Sequence, residues 1–101
     1  MEYSLLDKGS MKHVSFYGNV NTASRVKFLE IAKSMPESEQ KEWTLDVSQF
    51  EFIDSAGLGM LIELSATARK NDISLSISGA NDLVLRMLKL TKLETLFQII
   101  E

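Results

Sequence analysis

Cysteine is absent from the 101-residue sequence. That removes a disulfide scaffold, a cysteine-ligated zinc site and thiol catalysis from consideration. Histidine occurs once, at His13, so a histidine-rich metal centre is out of reach and no metal is expected. Proline also occurs once, at Pro36. Apolar stretches are interrupted within a few residues, far short of the roughly 20 needed to span a bilayer. The segment Met1 to Lys8 lacks a basic stretch followed by an apolar one, the mark of a signal peptide. The expectation is a cytoplasmic chain with no direct membrane insertion. Basic residues number 11 against 14 acidic, for a formal net charge of −3. The longest basic run is the pair Arg69-Lys70. Nucleic acid demands a clustered cationic footprint to neutralise phosphates, so no nucleic-acid partner is expected.

The remainder is an ordinary globular mixture, 45% hydrophobic and 25% charged. A chain of this length supports one core, and residues 1–101 are read as one domain without linker, repeat or low-complexity segment. Two strand-like runs, Tyr3 to Leu6 and Val14 to Tyr17, flank a turn at Gly9-Ser10 and predict a β-hairpin. Gly18 to Thr22 breaks that pattern. Phe28, Ile31, Ala32 and Met35 then share one helical stripe. Pro36 closes this helix, because the residue before a proline is biased away from helical geometry. Glu37 to Glu42 is expected to be a surface loop.

Trp43, Leu45 and Val47 alternate with polar residues, as do Ile73, Leu75 and Ile77. Alternation indicates a sheet covered on one face, whereas a doubly wound parallel sheet would carry continuous apolar runs. Helices are predicted over about 56–70 and 82–90, the latter capped by Asn81, and a last strand over 97–100. The expected class is α/β, a mixed β-sheet covered by helices on one face, in the order β-β-α-β-α-β-α-β.

The chemically informative stretch is Phe50-Glu51-Phe52-Ile53-Asp54-Ser55-Ala56-Gly57-Leu58-Gly59-Met60-Leu61. Ser55 is placed as the N-cap of the helix that follows, beside free backbone N–H groups and the positive end of the helix dipole, a setting that suits a phosphate. Gly57 and Gly59 each cost roughly 0.8–1 kcal/mol against alanine in a helix. Close approach of a neighbouring strand or of a docking protein would offset that cost. A nucleotide loop is excluded, since neither Gly-x-x-x-x-Gly-Lys-Ser/Thr nor Gly-x-Gly-x-x-Gly is present. Helical-wheel arithmetic assigns Leu58, Leu61, Ile62, Ser65 and Ala68 to the core stripe and leaves Met60 and Leu64 on its flank. Met60 and Leu64, with Leu58 and Gly59 beside them, are read as the partner-binding set. A Ser-His-Asp hydrolase using Ser55, His13 and Asp46 or Asp54 lacks a Gly-x-Ser-x-Gly motif, and no enzyme activity is expected.

These residues resemble a known family. Asp46-Val47-Ser48 followed by Phe52-Ile53-Asp54-Ser55-Ala56-Gly57-Leu58-Gly59 is similar to the signature of STAS domains, the anti-sigma factor antagonists. The likeness extends upstream to Gly18-Asn19-Val20-Asn21-Thr22-Ala23, and downstream to Leu88-Lys89-Leu90-Thr91-Lys92-Leu93 and Leu96-Phe97. The resemblance implies a partner-switching protein in which Ser55 is phosphorylated, with Asp54, Ala56, Gly57, Asn21 and Thr22 as its neighbourhood. It implies as partners an anti-sigma factor or switch protein kinase and a PP2C-type phosphatase. No cofactor is implied, because the kinase brings ATP and magnesium. Asn21 stands where the family often has aspartate, and Ala56 replaces a frequent second serine. The same resemblance admits another role, a STAS regulatory or scaffold subunit of biofilm, motility or lipid-transport ABC complexes not governed by Ser55.

Overall fold

The computed structural model describes residues 1–92, 95 and 97–100. Strand β1 (Glu2–Lys8) turns through Gly9, whose φ of +65° suits a residue without Cβ, and returns antiparallel as β2 (Met11–Val20). A single 3-10 turn, Thr22–Ser24, leads into α1 (Arg25–Ser34), which stops just before Pro36. Then follow β3 (Glu42–Ile53), α2 (Ser55–Lys70), β4 (Ser74–Ser78), α3 (Asp82–Leu90) and β5 (Gln98–Ile100). This is the expected order.

Each strand lies beside its predecessor, in the order β1-β2-β3-β4-β5, and every pairing after the first is parallel. Parallel crossovers are right-handed, so three crossovers stepping in one direction lay their helices on one face. Burial follows that rule. Val14, Phe16, Leu45, Val47 and Ile77 are almost fully buried, while the alternating His13, Ser15, Asp46, Ser48, Ser76 and Ser78 keep solvent contact. Thr44 is the buried member of the polar face, and its hydroxyl meets Ser76 Oγ and Met11 Sδ, both at 3.1 Å. In the core, Phe16 stacks on Phe28 of α1 at 5.5 Å and meets Phe50 edge-on at 5.6 Å.

Two sequence expectations need correction. The strands β2 and β3 run further than their alternation suggests, ending with Val20 opposite Ile53. Register shifts between Ser15 and Tyr17 and between Gly18 and Asn19 interrupt the two-residue period, which hid the continuation. The segment Glu37 to Glu42 is not wholly a surface loop either. Ser38 is buried, and the Trp43 indole N–H donates to Gln40 O at 3.1 Å and Ser38 Oγ at 3.3 Å. A buried indole requires an acceptor, and this loop supplies it.

Candidate functional site

The long β2–β3 ribbon carries the site at its carboxyl end. β4 stops at Ser78, opposite Asp46, so β3 continues to Ile53 beside β2 alone. There the Asp54 N–H donates to Val20 O at 3.2 Å, tying the start of α2 to the end of β2. Asn21 and Thr22 follow Val20 directly in the chain, and the 3-10 turn they open packs on α2. Asn21 Oδ1 accepts the Ala23 N–H at 3.0 Å, and Ser24 Oγ accepts the Asn21 N–H at 3.2 Å. This reciprocal cap holds Asn21 rigidly in the turn.

The cap of α2 is Asp54, not Ser55 as expected. Asp54 has extended backbone geometry, and its Oδ1 accepts the Gly57 N–H at 2.9 Å. A carboxylate here satisfies an orphan amide and also complements the helix dipole, so it outcompetes the neighbouring hydroxyl for the position. Ser55 becomes the first helical residue. It is exposed, and among the described residues its hydroxyl makes no hydrogen bond.

The two glycines of α2 differ in what surrounds them. A Cβ on Gly57 would lie 2.7 Å from Ile53 Cγ1, 2.8 Å from Val20 O and 2.9 Å from Val20 Cγ1. Close packing on the strand ends is therefore the reason for this glycine. A Cβ on Gly59 would meet nothing within 4 Å, so the fold places no demand for glycine there.

The expected partner-binding set is displaced. Met60 and Leu64 are each only 2% exposed, and Leu58 is buried as well. Ile62, assigned to the core stripe, is 44% exposed. Leu58, Leu61, Ser65 and Ala68 of the assigned stripe are buried as expected, and the buried arc widens to take in Met60 and Leu64 because α2 packs against two neighbours, the sheet and α1. Met60 and Leu64 line a cleft with Phe28 and Ala32 of α1, across which Arg25 and Glu63 approach to 3.4 Å. The outward stripe of α2 is Ser55, Gly59, Ile62 and Ala66 at spacings of four, three and four. Phe52, 50% exposed just before the Asp-Ser pair, is a further large apolar side chain that sequence reasoning did not single out. Its signal was faint, since a bulge rather than an alternation turns it outward.

His13 and Asp46 do come together, at 3.4 Å, on the polar face of the sheet. Asp46 Oδ1 also accepts the Ser48 hydroxyl at 2.7 Å and the Ser48 N–H at 3.0 Å. Partial burial pushes the Asp46 carboxyl up, but the two Ser48 hydrogen bonds and His13 outweigh it and hold the carboxyl below its ordinary value. Among the described residues no serine hydroxyl bonds to His13, so there is no nucleophile poised against a base, and Ser55 stands apart on α2. Among the described residues no cluster of three metal-ligating side chains occurs, and no helix is long and apolar enough to cross a membrane.

The sequence profile of the family described as "Mlab, STAS domain" matches residues 6–101. An anti-sigma factor antagonist from Mycobacterium paratuberculosis superposes with a TM-score of 0.81 at 20% identity, covering 97% of this chain and 83% of that one. A candidate antagonist from Thermotoga maritima gives 0.83 at 19% identity, covering 99% and 85%. The Bacillus cell fate determinant SpoIIAA in its phosphorylated form gives 0.75 at 10% identity, covering 99% and 92%. At such identities the solved structures show a shared fold. Of the downstream positions that resemble the family, Leu93 and Leu96 lie outside the described residues.

Proposed function

The chain belongs to the STAS domain family, and from that premise we propose that it is an anti-sigma factor antagonist switched by reversible phosphorylation of Ser55. The unphosphorylated form docks on an anti-sigma factor or equivalent target. A switch protein kinase transfers the phosphoryl group of ATP to Ser55 Oγ, and a PP2C-type phosphatase removes it. The protein acts by binding in the cytoplasm, not as an enzyme, and residues 1–101 work as one unit.

The observation that carries this reading is the exposed, unbonded hydroxyl of Ser55 at the head of the Ser55-Gly59-Ile62 stripe, freed because Asp54 does the capping. A phosphoserine adds about −1.5 to −2 charge at neutral pH. Placed at the end of a partly apolar stripe, and beside the Asp54 carboxylate, it penalises docking by desolvation and repulsion. Gly59 fits the same picture, since open space at that turn lets a partner's backbone come close. Support also comes from SpoIIAA, a fold relative solved in unphosphorylated and phosphorylated forms.

The test is phosphosite mapping of the protein taken from its native cells, with bound partners identified in the same sample and their affinities measured for two variants. Ser55→Asp is expected to weaken target binding by about 10–100-fold, and Ser55→Ala to bind constitutively. Equal binding by both variants, with a membrane-transport complex attached, would replace this reading by that of a scaffold subunit.

A further inference from the structure

We infer that the free edge of β1 is a self-association surface, which pairs antiparallel with β1 of a second copy of this chain about a two-fold axis through Leu5. The inference does not depend on Ser55 or on the proposed switch.

An exposed sheet edge presents unpaired N–H and C=O groups, and natural proteins blunt it with a proline, a bulge, a short strand or inward charge. Among the described residues the other edge strand, β5, spans only Gln98–Ile100. β1 lacks the first three of these protections, and its one charge on the helix-covered face, Asp7, is already paired with Lys12 at 3.2 Å. It is seven residues long and contains no proline. Its register with β2 runs from Glu2 opposite Tyr17 to Lys8 opposite Met11 without a shift. Ser4 to Lys8 are all exposed, and Leu5 and Leu6 are 40% and 56% exposed in the middle of the strand.

The charges on this edge are arranged to attract a copy of itself. With the axis at Leu5, Glu2 faces the partner's Lys8 and Lys8 faces the partner's Glu2. Tyr3 lies opposite the partner's Asp7, Ser4 opposite the partner's Leu6, and the two Leu5 side chains meet at the centre. This centring uses all seven residues. Moving the axis to Ser4 or Leu6 leaves two residues of each strand unpaired and separates Glu2 from Lys8. Opposite charges directly across an antiparallel pair are favourable and like charges unfavourable.

An axis perpendicular to the sheet keeps side-chain faces matched. Residues opposite the buried Val14 and Phe16, which are Leu5 and Tyr3, then continue the helix-covered face of one copy into that of the other. The existing pairs Glu2–Lys27 at 2.7 Å and Asp7–Lys12 at 3.2 Å each have an exposed carboxylate, so their rearrangement is easy.

Sedimentation of the chain from micromolar to millimolar concentration tests the inference. A monomer–dimer equilibrium is expected. Lys8→Glu places like charges at both ends of the pairing and is expected to raise the dissociation constant about tenfold or more. Adding Glu2→Lys to Lys8→Glu restores the opposition and is expected to restore the dimer. Circular dichroism melting of each variant checks that the fold is retained. A chain monomeric throughout the range overturns the inference, as does a dimer indifferent to Lys8→Glu or one that the double reversal fails to rescue.

Discussion

Replacing Gly57 and Gly59 separately by alanine should move stability in opposite directions, although the two lie two residues apart in one helix. At Gly59 the added methyl meets nothing within 4 Å, so only helix propensity changes. The expected gain is about 0.8–1 kcal/mol, which for a domain of this size raises the melting temperature by roughly 4–8 °C. At Gly57 the same propensity gain is opposed by three contacts below 3.0 Å, with Ile53 Cγ1, Val20 O and Val20 Cγ1. The carbonyl oxygen is the contact that has least room to yield, because it accepts the Asp54 N–H that fastens α2 to β2. Overpacking costs typically ~1–3 kcal/mol; three contacts this short put Gly57 at the upper end, leaving a net loss of about 2 kcal/mol once the propensity gain is subtracted. Urea unfolding followed by circular dichroism reads both, and an unchanged slope with a shifted midpoint identifies a true stability change. A Gly57→Ala variant as stable as its parent, or a shift of the same sign at both positions, would refute the packing argument. Under the proposed function the Gly59→Ala protein carries a further expectation, since it should be more stable yet bind its target less well.

Met60→Ala should cost about 2–5 kcal/mol, because that side chain is 2% exposed between α1 and α2; Ile62→Ala should change stability by no more than about 0.5 kcal/mol, as thermal unfolding would show. Asp46→Asn should destabilise the protein near neutrality and lose that effect in acid. The native Asp46 carboxyl lies below its ordinary value of 3.8, so its contribution is complete above that value and disappears as pH falls through the lowered native one; a difference between parent and variant that persists unchanged at pH about 2 would contradict this. Asp72 closes α2 with a φ of +58°, a conformation costing roughly 1–2 kcal/mol for an ordinary L-residue. Asp72→Gly should raise stability by less than about 1 kcal/mol, the gain being reduced by the greater freedom of glycine in the unfolded chain.

The order of elements was readable because the period-two strands at Trp43 and Ile73 and the helix ended by Pro36 carry strong local patterns. Pairing geometry was less accessible. The shifts near Tyr17 and Asn19 break the alternation that a sequence reader counts, and a bulge is set by how two strands fit, not by either strand alone. At the site, the Asp54-Ser55-Ala56-Gly57 stretch was visible as a helix start, and the close approach of Gly57 to a strand was legible from its helix penalty. The choice of Asp54 over Ser55 as cap was not, since both residue types favour the position and backbone geometry decides between them. The width of the arc that α2 buries was hidden for a related reason. A wheel assumes one packing partner, and the second one, α1, lies far off in sequence.

The neighbour-by-neighbour strand order bears on how the chain acquires its structure. Each strand of this sheet pairs with the segment that precedes it in the chain, so the sheet can grow from one edge as residues emerge. No strand must wait for a distant one to be inserted between earlier neighbours, and each crossover closes a loop of one helix's length. Short closures of this kind favour rapid folding for a sheet that is mostly parallel. The last addition is the least secured, because β5 brings three residues and a single pairing partner, β4. Its amides should therefore exchange with solvent through local opening well before those of β2 and β3, whose exchange should follow unfolding of the whole domain.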